Sequence, residues 1–382
     1  MKTYKLIILL ITGFCPVLIF AQSSDQNYIK TTTYLNETGT DSLNTIRYYD
    51  GLGRPIQTVL QGITPGGSDL ITYQEYDRFG RDSTAWLPAV AANNNGAFVD
   101  FAAFSTKSAN TYNTTTYNSA ADTKPYSLPV YEPSPLNRIV QQFGSGQAWQ
   151  NNNKAVETDY KTNNITDNAL KCNYYFVSGN NLVRDNLYAT GQLYVTETKD
   201  EDGKKMYRFT DKLGRVVMTR QLNSTTNHDT YYVYDDFGNQ RYMLPPLAAD
   251  SLPATGTWNV SDQDANGRIL RNYAYIYKYD SRNRCIEKKL PGCEPIYMVY
   301  DKADRLVLSQ DGVQRSKEQW TVMKYDVLGR LLYTGLIDRE MQPSDIATVQ
   351  DNVITEEFAH YYGFAGTGYS CNWFTGEVSP SL

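Results

Sequence analysis

Between residues 201 and 335 apolar and polar residues alternate with a period of two, in short runs that predict β-strands at Tyr231 to Tyr234, Tyr273 to Tyr279, Ile296 to Tyr300 and Val322 to Tyr325. The alternation is clearest at Tyr273, Tyr275, Tyr277 and Tyr279, which fall on one face of a single predicted strand. Such a row of rings reads as cross-strand aromatic packing with hydroxyls at the rim, or as a stacking platform for a glycan in which Tyr273, Tyr275 and Trp258 would take part. The period changes to a helical one near the C-terminus, where Ser344 caps a segment running to about Glu357 with Ile346, Val349 and Val353 on one stripe. At the other end Lys2 and Lys5 precede an apolar run from Leu6 to Phe20 and then Ala21. This is the pattern of an export signal, with a mature chain expected to begin at Gln22. The run is too short for a membrane span.

The strand endings repeat. Seven near-copies of Tyr-Asp-x-x-Gly-Arg centre on Asp50, Asp77, Asp211, Asp235, Asp280, Asp301 and Asp326. Asp opens a type I turn because its carboxylate accepts the backbone amide two residues on. Three residues later stand Gly53, Gly80, Gly214, Gly238, Asn283, Asp304 and Gly329, all types that enter the left-handed region at low cost. The next position holds Arg54, Arg81, Arg215, Arg284, Arg305 and Arg330, with Asn239 the exception, so a local Asp–Arg pair is expected at each turn. Tyr precedes Asp in every copy but one, where Thr210 stands. Leu87-Pro88, Leu244-Pro245 and Leu290-Pro291 mark the ends of outgoing strands, since Pro removes a ladder donor.

The repeats divide the chain. After the predicted signal at 1–21, a region from 22 to 200 holds the first two copies and a stretch rich in Asn, Thr, Ala and Ser that reads as long loops around a few short strands. Residues 201–335 hold the other five copies and read as nearly all β, with an extra loop from Ala248 to Arg271; residues 336–382 hold the predicted helix and a Gly- and aromatic-rich tail. Removal of residues 1–21 leaves 34 Lys and Arg against 41 Asp and Glu, a net charge of −7. With no basic run, a nucleic-acid partner is not expected. Cys172, Cys285, Cys293 and Cys371 allow three pairings, one of which joins Cys285 to Cys293, or they stay free thiols.

Chemistry is sparse. His228 and His360 sit in no motif that would orient them for catalysis, and the Asp and Arg residues of the repeats are accounted for by their turns. Asp262, Asp264 and Asn266, followed by Gly267, imitate the opening of a calcium loop, but Tyr273 stands where a bidentate Glu would close it and a strand is expected to follow. A polar turn capped by Asn-Gly is the simpler reading, so no cofactor, metal or catalytic residue is expected.

The repeated phrase resembles the YD repeats of bacterial RHS proteins, found also in toxin-complex shells and teneurins. Glu132-Pro133-Ser134-Pro135-Leu136-Asn137-Arg138, followed by Gln147-Ala148-Trp149, is similar to the domain of unknown function that precedes the repeats in many secreted RHS proteins. The resemblance implies a mainly β fold of antiparallel YD-repeat hairpins in a curved or spiralling sheet, a partial shell. It implies a non-enzymatic, secreted or cell-surface scaffold associated with toxin delivery or interbacterial competition, whose partner is a downstream core or toxin segment of a longer chain. The alternative is a carbohydrate-binding or adhesion module using the Tyr and Trp faces. The family's self-cleavage motif is absent, so that activity is carried over to no residue.

Overall fold

The structure, a computed structural model, describes residues 23, 25–112, 122–223, 226–326 and 328–338, and the backbone alone at 333, 369–371 and 378–380. The predicted export signal, the helix expected from Ser344 to Glu357, His360 and the side chain of Cys371 lie outside the described residues. The chain forms two compact units, residues 1–159 with 198–203 and residues 160–197 with 204–382. The chain thus passes from the first unit to the second after Asp159, returns to the first at Thr198 and leaves it again after Gly203.

The first unit is an antiparallel sheet of β1 (Asn27–Tyr34), β2 (Ser42–Tyr49), β3 (Pro55–Gln61), β4 (Asp69–Tyr76), β5 (Asp82–Trp86), β6 (Ala89–Ala91), β7 (Tyr126–Tyr131), β8 (Ile139–Phe143) and β9 (Ala155–Thr162). Strands β1 to β4 pair in order. β4 then divides: Asp69–Ile71 pairs with β6, whereas Gln74–Tyr76 pairs with β5, which continues to β7, β8 and β9. Helix α1 (Phe101–Tyr112) covers the division. Asp100 caps it by accepting the Ala103 amide at 2.9 Å, and its fully buried Phe104 meets Trp86 edge-on at 5.6 Å. Ile46, Tyr48, Val59, Ile71, Ala89 and Ala91 complete this core. A shorter helix, α2 (Gln147–Asn151), joins β8 to β9.

In the second unit β10 (Asn173–Ser178), β11 (Asn181–Leu187) and β17 (Gly256–Trp258) make a three-stranded sheet. β12 (Tyr194–Lys199) leads into a meander of β13 (Lys205–Thr210), β14 (Val216–Asn223), β15 (Thr226–Tyr234), β16 (Gln240–Leu244), β18 (Tyr275–Tyr279), β19 (Cys285–Lys289), β20 (Ile296–Tyr300), β21 (Leu306–Gln310), β22 (Gln319–Tyr325) and β23 (Leu331–Asp338). Each of these strands from β13 onward is antiparallel to the next. The backbones at Tyr369–Cys371 and Val378–Pro380 form a separate pair, β24 and β25.

This region is less purely β than its alternation predicts. Helices α3 (Pro246–Ser251), α4 (Ala265–Tyr273) and α5 (Gly312–Ser316) interrupt it, the first two in place of the expected loop. Tyr273 ends α4 and is not on the strand, so the tyrosine face of β18 comprises Tyr275, Tyr277 and Tyr279 only. The helix starts where a polar turn was expected, since Asp264 caps it by accepting the Gly267 amide at 2.8 Å. Gly267 is required there by close approach, as a Cβ would lie 2.0 Å from the Asp262 carbonyl oxygen.

One buried ion pair ties the inserted segment to the meander. Arg220 on β14 faces Asp229 on β15 and donates through Nε and Nη2 at 2.7 and 2.6 Å, while Nη1 donates to the carbonyl oxygens of Asn168 and Ala169. The Tyr231 hydroxyl donates to the same carboxylate and accepts from the Asn173 amide. Every donor of this cluster comes from a strand or from the segment it holds. Asp229→Ala strips the charge partner from a guanidinium that is 2% exposed. It is expected to cost about 3–5 kcal/mol in urea unfolding, well beyond the cost of truncating an exposed surface acid.

Candidate functional site: the turn edge of the repeats

All seven repeat turns adopt one geometry. The residue in the fourth position has positive φ in each, from 61° at Asn283 and Asp304 to 85° at Gly238. Its amide donates to the Asp carbonyl, and the Asp amide donates to the carbonyl of the residue after it. The register slips by one at the Tyr or Thr that precedes each Asp, which is the signature of a type I turn closed by a bulge. Within the turn one carboxylate oxygen of Asp accepts two backbone amides, as Asp50 Oδ1 does from Leu52 and Arg54 at 2.9 Å each. In the six copies with Arg, the other oxygen receives the Arg Nε at 2.6–2.7 Å. The Arg54 amide, ahead of its guanidinium, holds the Asp50 carboxyl below the usual carboxylate range, and the Arg330 amide does the same for Asp326.

The tyrosines couple one turn to its neighbour. The hydroxyls of Tyr76, Tyr234, Tyr279, Tyr300 and Tyr325 donate to the carbonyls of Pro55, Val216, Gln240, Cys285 and Leu306 at 2.9–3.1 Å. Each acceptor is the residue immediately after the Arg, or after Asn239, of the neighbouring turn. The guanidinium of that Arg lies over the same ring: Arg54 over Tyr76 at 4.3 Å, Arg215 over Tyr234 at 5.0 Å, Arg284 over Tyr300 at 5.2 Å and Arg305 over Tyr325 at 5.1 Å. Asp thus orients Arg, Arg receives a ring, and the ring's hydroxyl reaches back to the strand that Arg begins.

An eighth turn obeys the same rule with different residues. Between β7 and β8, Asn137 has φ 54° and the Glu132 amide donates to the Arg138 carbonyl. The role of Asp is split here: Ser134 Oγ accepts the Leu136 amide and the Glu132 carboxylate receives Nε and Nη2 of Arg138. The Arg138 guanidinium and then the Ser134 hydroxyl pull the Glu132 carboxyl down to about 2. Arg81 lies 4.2 Å over Tyr131, whose hydroxyl donates to the Asp82 carbonyl. The stretch that resembles a separate domain signature is therefore also a repeat turn. Its sequence hides this because two inserted residues and a Ser–Glu division of labour break the spacing. At the exceptional Asn239, the Asn amide takes one contact to Asp235 and Arg241 supplies a cation 3.9 Å from the same carboxylate.

Positions left open by the sequence motif also have a role. Where the left-handed residue is not Gly, its side-chain oxygen accepts from the neighbouring turn: Asn137 from Arg81, Asn283 from Asn239, and Asp304 from Arg284, all at 3.0 Å. Two residues after Asp, or after Ser134, stand Leu52, Phe79, Leu136, Leu213, Phe237 and Leu328, which are 66–81% exposed. Each unit therefore carries large apolar side chains projecting from its turns, where polar residues are the norm. That breach of turn chemistry was the available signal.

The other sequence candidates separate. Trp258 is buried at 5% exposure, Tyr273 sits on a helix and Tyr275 is half-buried on a strand, so they do not form one open glycan platform. Asp262 accepts the Asn259 amide, Asp264 caps α4 and Asn266 donates to Asp264; a helix follows, and no group of acids, His and Cys among the described residues is arranged to hold a metal. Cys172, Cys285 and Cys293 are free thiols, which removes the Cys285–Cys293 bridge. Burial pushes the Cys172 and Cys285 thiols up, away from thiolate chemistry. His228 is exposed on β15 opposite Gln221. No helix among the described residues is long and apolar enough to cross a membrane.

Residues 22–162 match the family described as a domain of unknown function, DUF6443. The chain is 25% identical over 247 residues to salivary gland surface protein 1 of Aedes aegypti, covering 63% of this chain and 6% of that protein. Its fold is similar to a part of the Photorhabdus luminescens Tc holotoxin pore, with TM-score 0.50, 14% identity, and coverage of 82% of this chain and 13% of that one. It is also similar to the TcdB2-TccC3 complex without its hypervariable C-terminal region, with TM-score 0.50, 13% identity, and coverage of 88% and 15%. The chain thus spans a small fraction of the length of these relatives, and what it shares with the solved structures is the fold.

Two outcomes follow from the turn geometry. Gly238→Ala is expected to lose about 1–2 kcal/mol by forcing a Cβ into the left-handed region, whereas Gly238→Asn should recover most of that by accepting from Arg215, whose Nη1 lies 3.9 Å from the new Cβ. A double-mutant cycle with Arg215→Ala checks this, because the Asn advantage should vanish in that background. Glu132 has a lower pKa folded, about 2, than its ordinary 4.5. Its contribution is therefore complete above pH ~4.5 and lost as pH falls toward 2. Thermal melts between these limits should show a steeper acid loss for the wild type than for Glu132→Gln.

Proposed function

We propose that this chain is a non-enzymatic, exported scaffold, a segment of the β-sheet wall of a larger assembly of the toxin-complex kind. The recurrence of one inter-turn coupling carries this reading. Six tyrosines use the same hydroxyl-to-carbonyl bond in the same place, and five of them lie under the neighbouring turn's arginine. A binding or catalytic site would be marked by one turn that departs from the rest with reactive groups. The departures at Asn239 and Glu132 instead restore the same charge pairing by other residues. A buried Cys172 and a half-buried Cys285, both with thiol pKa raised, and an exposed His228 further support a role without bond chemistry. The similarity to parts of Tc toxin chains supports a place in an enclosing wall, and the apolar run Leu6 to Phe20 behind Lys2 and Lys5 supports export.

The test is electron microscopy with limited proteolysis on the product of the complete reading frame that contains these 382 residues. A hollow particle whose interior segment resists protease until the wall is opened is the expected result. A solid rod or an extended fibre with no protected segment would refute the wall.

A further inference from the structure

Among the described residues the coupling of turn to turn runs as far as Arg330. The guanidinium-bearing side chains of Arg54, Arg81, Arg215, Arg284 and Arg305, each under the cover of a neighbouring tyrosine, are 10–33% exposed. Arg330 is held by Asp326 in the same way, with Nε at 2.6 Å, yet its side chain is 75% exposed. The strand it begins is equally uncovered. Leu331, Leu332 and Leu336 of β23 are 53%, 60% and 63% exposed, whereas Val217 and Val307, which occupy the place of Leu332 after Arg215 and Arg305, are 6% and 0% exposed. Among the described residues β22 is the strand registered against β23, so one edge of its backbone is open to a further ladder.

We propose that the outer edge of β23 is a docking edge for one more strand of the same kind, brought by a partner segment and recognised through a tyrosine. The ring of that tyrosine lies under the Arg330 guanidinium and its hydroxyl donates to the Leu331 carbonyl oxygen. The occupant's chemistry is set by the interfaces already present. The strand runs antiparallel to β23 and ends in Tyr-Asp, with the Tyr opposite Arg330, as Tyr325 stands opposite Arg305 and Tyr234 opposite Arg215 in their registers. An Asn or Asp three residues after the partner's Asp adds an acceptor for Arg330, the arrangement seen between Arg284 and Asp304. Beyond Asp338 the sequence holds no further Tyr-Asp pair, so the partner strand is supplied by another segment or chain. β1 of a second copy does not carry this signature, because it ends in Tyr34-Leu35 and not in Tyr-Asp. The inference rests on the wall reading only in taking the sheet to be extendable.

The probe is a backbone-cyclised peptide copying residues 296–310, a hairpin that carries Tyr300, Asp301 and Asp304, added to the full chain. Saturable binding by fluorescence anisotropy is expected, with slowed amide exchange confined to Leu331–Asp338. Tyr300→Phe in the peptide and Arg330→Ala in the chain should each weaken binding about tenfold, through loss of the hydroxyl bond and of the ring stack. Arg330→Lys should recover little, since it keeps the charge without the planar fork. No binding at millimolar peptide, protection elsewhere, or equal affinity for the Arg330→Ala chain would each overturn the proposal. Failure here is separable from failure of the wall reading, because a hollow particle can be observed whether or not Arg330 receives a tyrosine. Arg330→Ala removes no described contact other than that with Asp326, so the variant chain should fold.

Discussion

A carboxylate that serves its own backbone and an arginine at once is the constraint on which the rest of this structure depends. Each repeat Asp fixes a reversal by accepting two amides, and in doing so turns its second oxygen toward the residue that starts the next strand. The arginine has lost most of its freedom before it meets anything outside the hairpin. That pre-ordering is why a stack usually worth about 0.5–1 kcal/mol at exposed sites and a neutral hydrogen bond worth about 1 kcal/mol recur together at five turns. The side-chain entropy has already been spent within the hairpin. The same order explains why the pairs are shielded: the Asp301 side chain is 3% exposed although it sits at a turn.

Coupling of this kind is between neighbours only. A sheet assembled from such hairpins gains its stability as a sum of hairpins and interfaces, as in other repeat proteins. Two places where the chain departs from that scheme, one in each unit, are held by other means. Arg220 and Asp229 tie the 160–197 insertion to β14 and β15, and in the first unit Asp69 accepts the Gly62 and Gly96 amides to pin the loop before α1. Both are buried polar clusters with their partners present, costly to break and specific in what they join.

Much of the turn was legible in the sequence because its causes are local: a side chain bonding its own backbone, a residue type that tolerates positive φ, a cation four residues from an anion. The role of Tyr was not, since its hydroxyl bonds to a residue in another hairpin and nothing in a strand-end Tyr distinguishes that from ordinary packing. Tyr273 misled for a related reason. Its spacing continues the period of Tyr275 and Tyr277, but the cap at Asp264 and the close approach at Gly267 commit the preceding residues to a helix, and tertiary context overrode the alternation. Trp258 was readable as an open face until β17 paired with β11 and enclosed it. The eighth turn was concealed by a substitution that preserves charge geometry while changing every letter of the motif except the arginine and the tyrosine.

The hydroxyl-to-carbonyl bond spans 15 residues between Tyr300 and Cys285 but 49 between Tyr131 and Asp82, and 39 between Tyr279 and Gln240. The bond is indifferent to what lies between its ends. Because each outgoing strand leaves the turn edge and the following one returns to it, extra chain emerges at the far margin. There α1 was accommodated in one unit, and α3 with α4 in the other. A sheet built this way has one margin that takes a change of length only where the turn's bonds are rebuilt, as the two extra residues between Glu132 and Arg138 required Ser134 and Glu132 to share the role of Asp, and one that accepts new material freely. Large insertions are channelled to a single side, and foreign loops or small domains should be graftable after Trp86, Leu244 or Lys289 without disturbing the order of the turns.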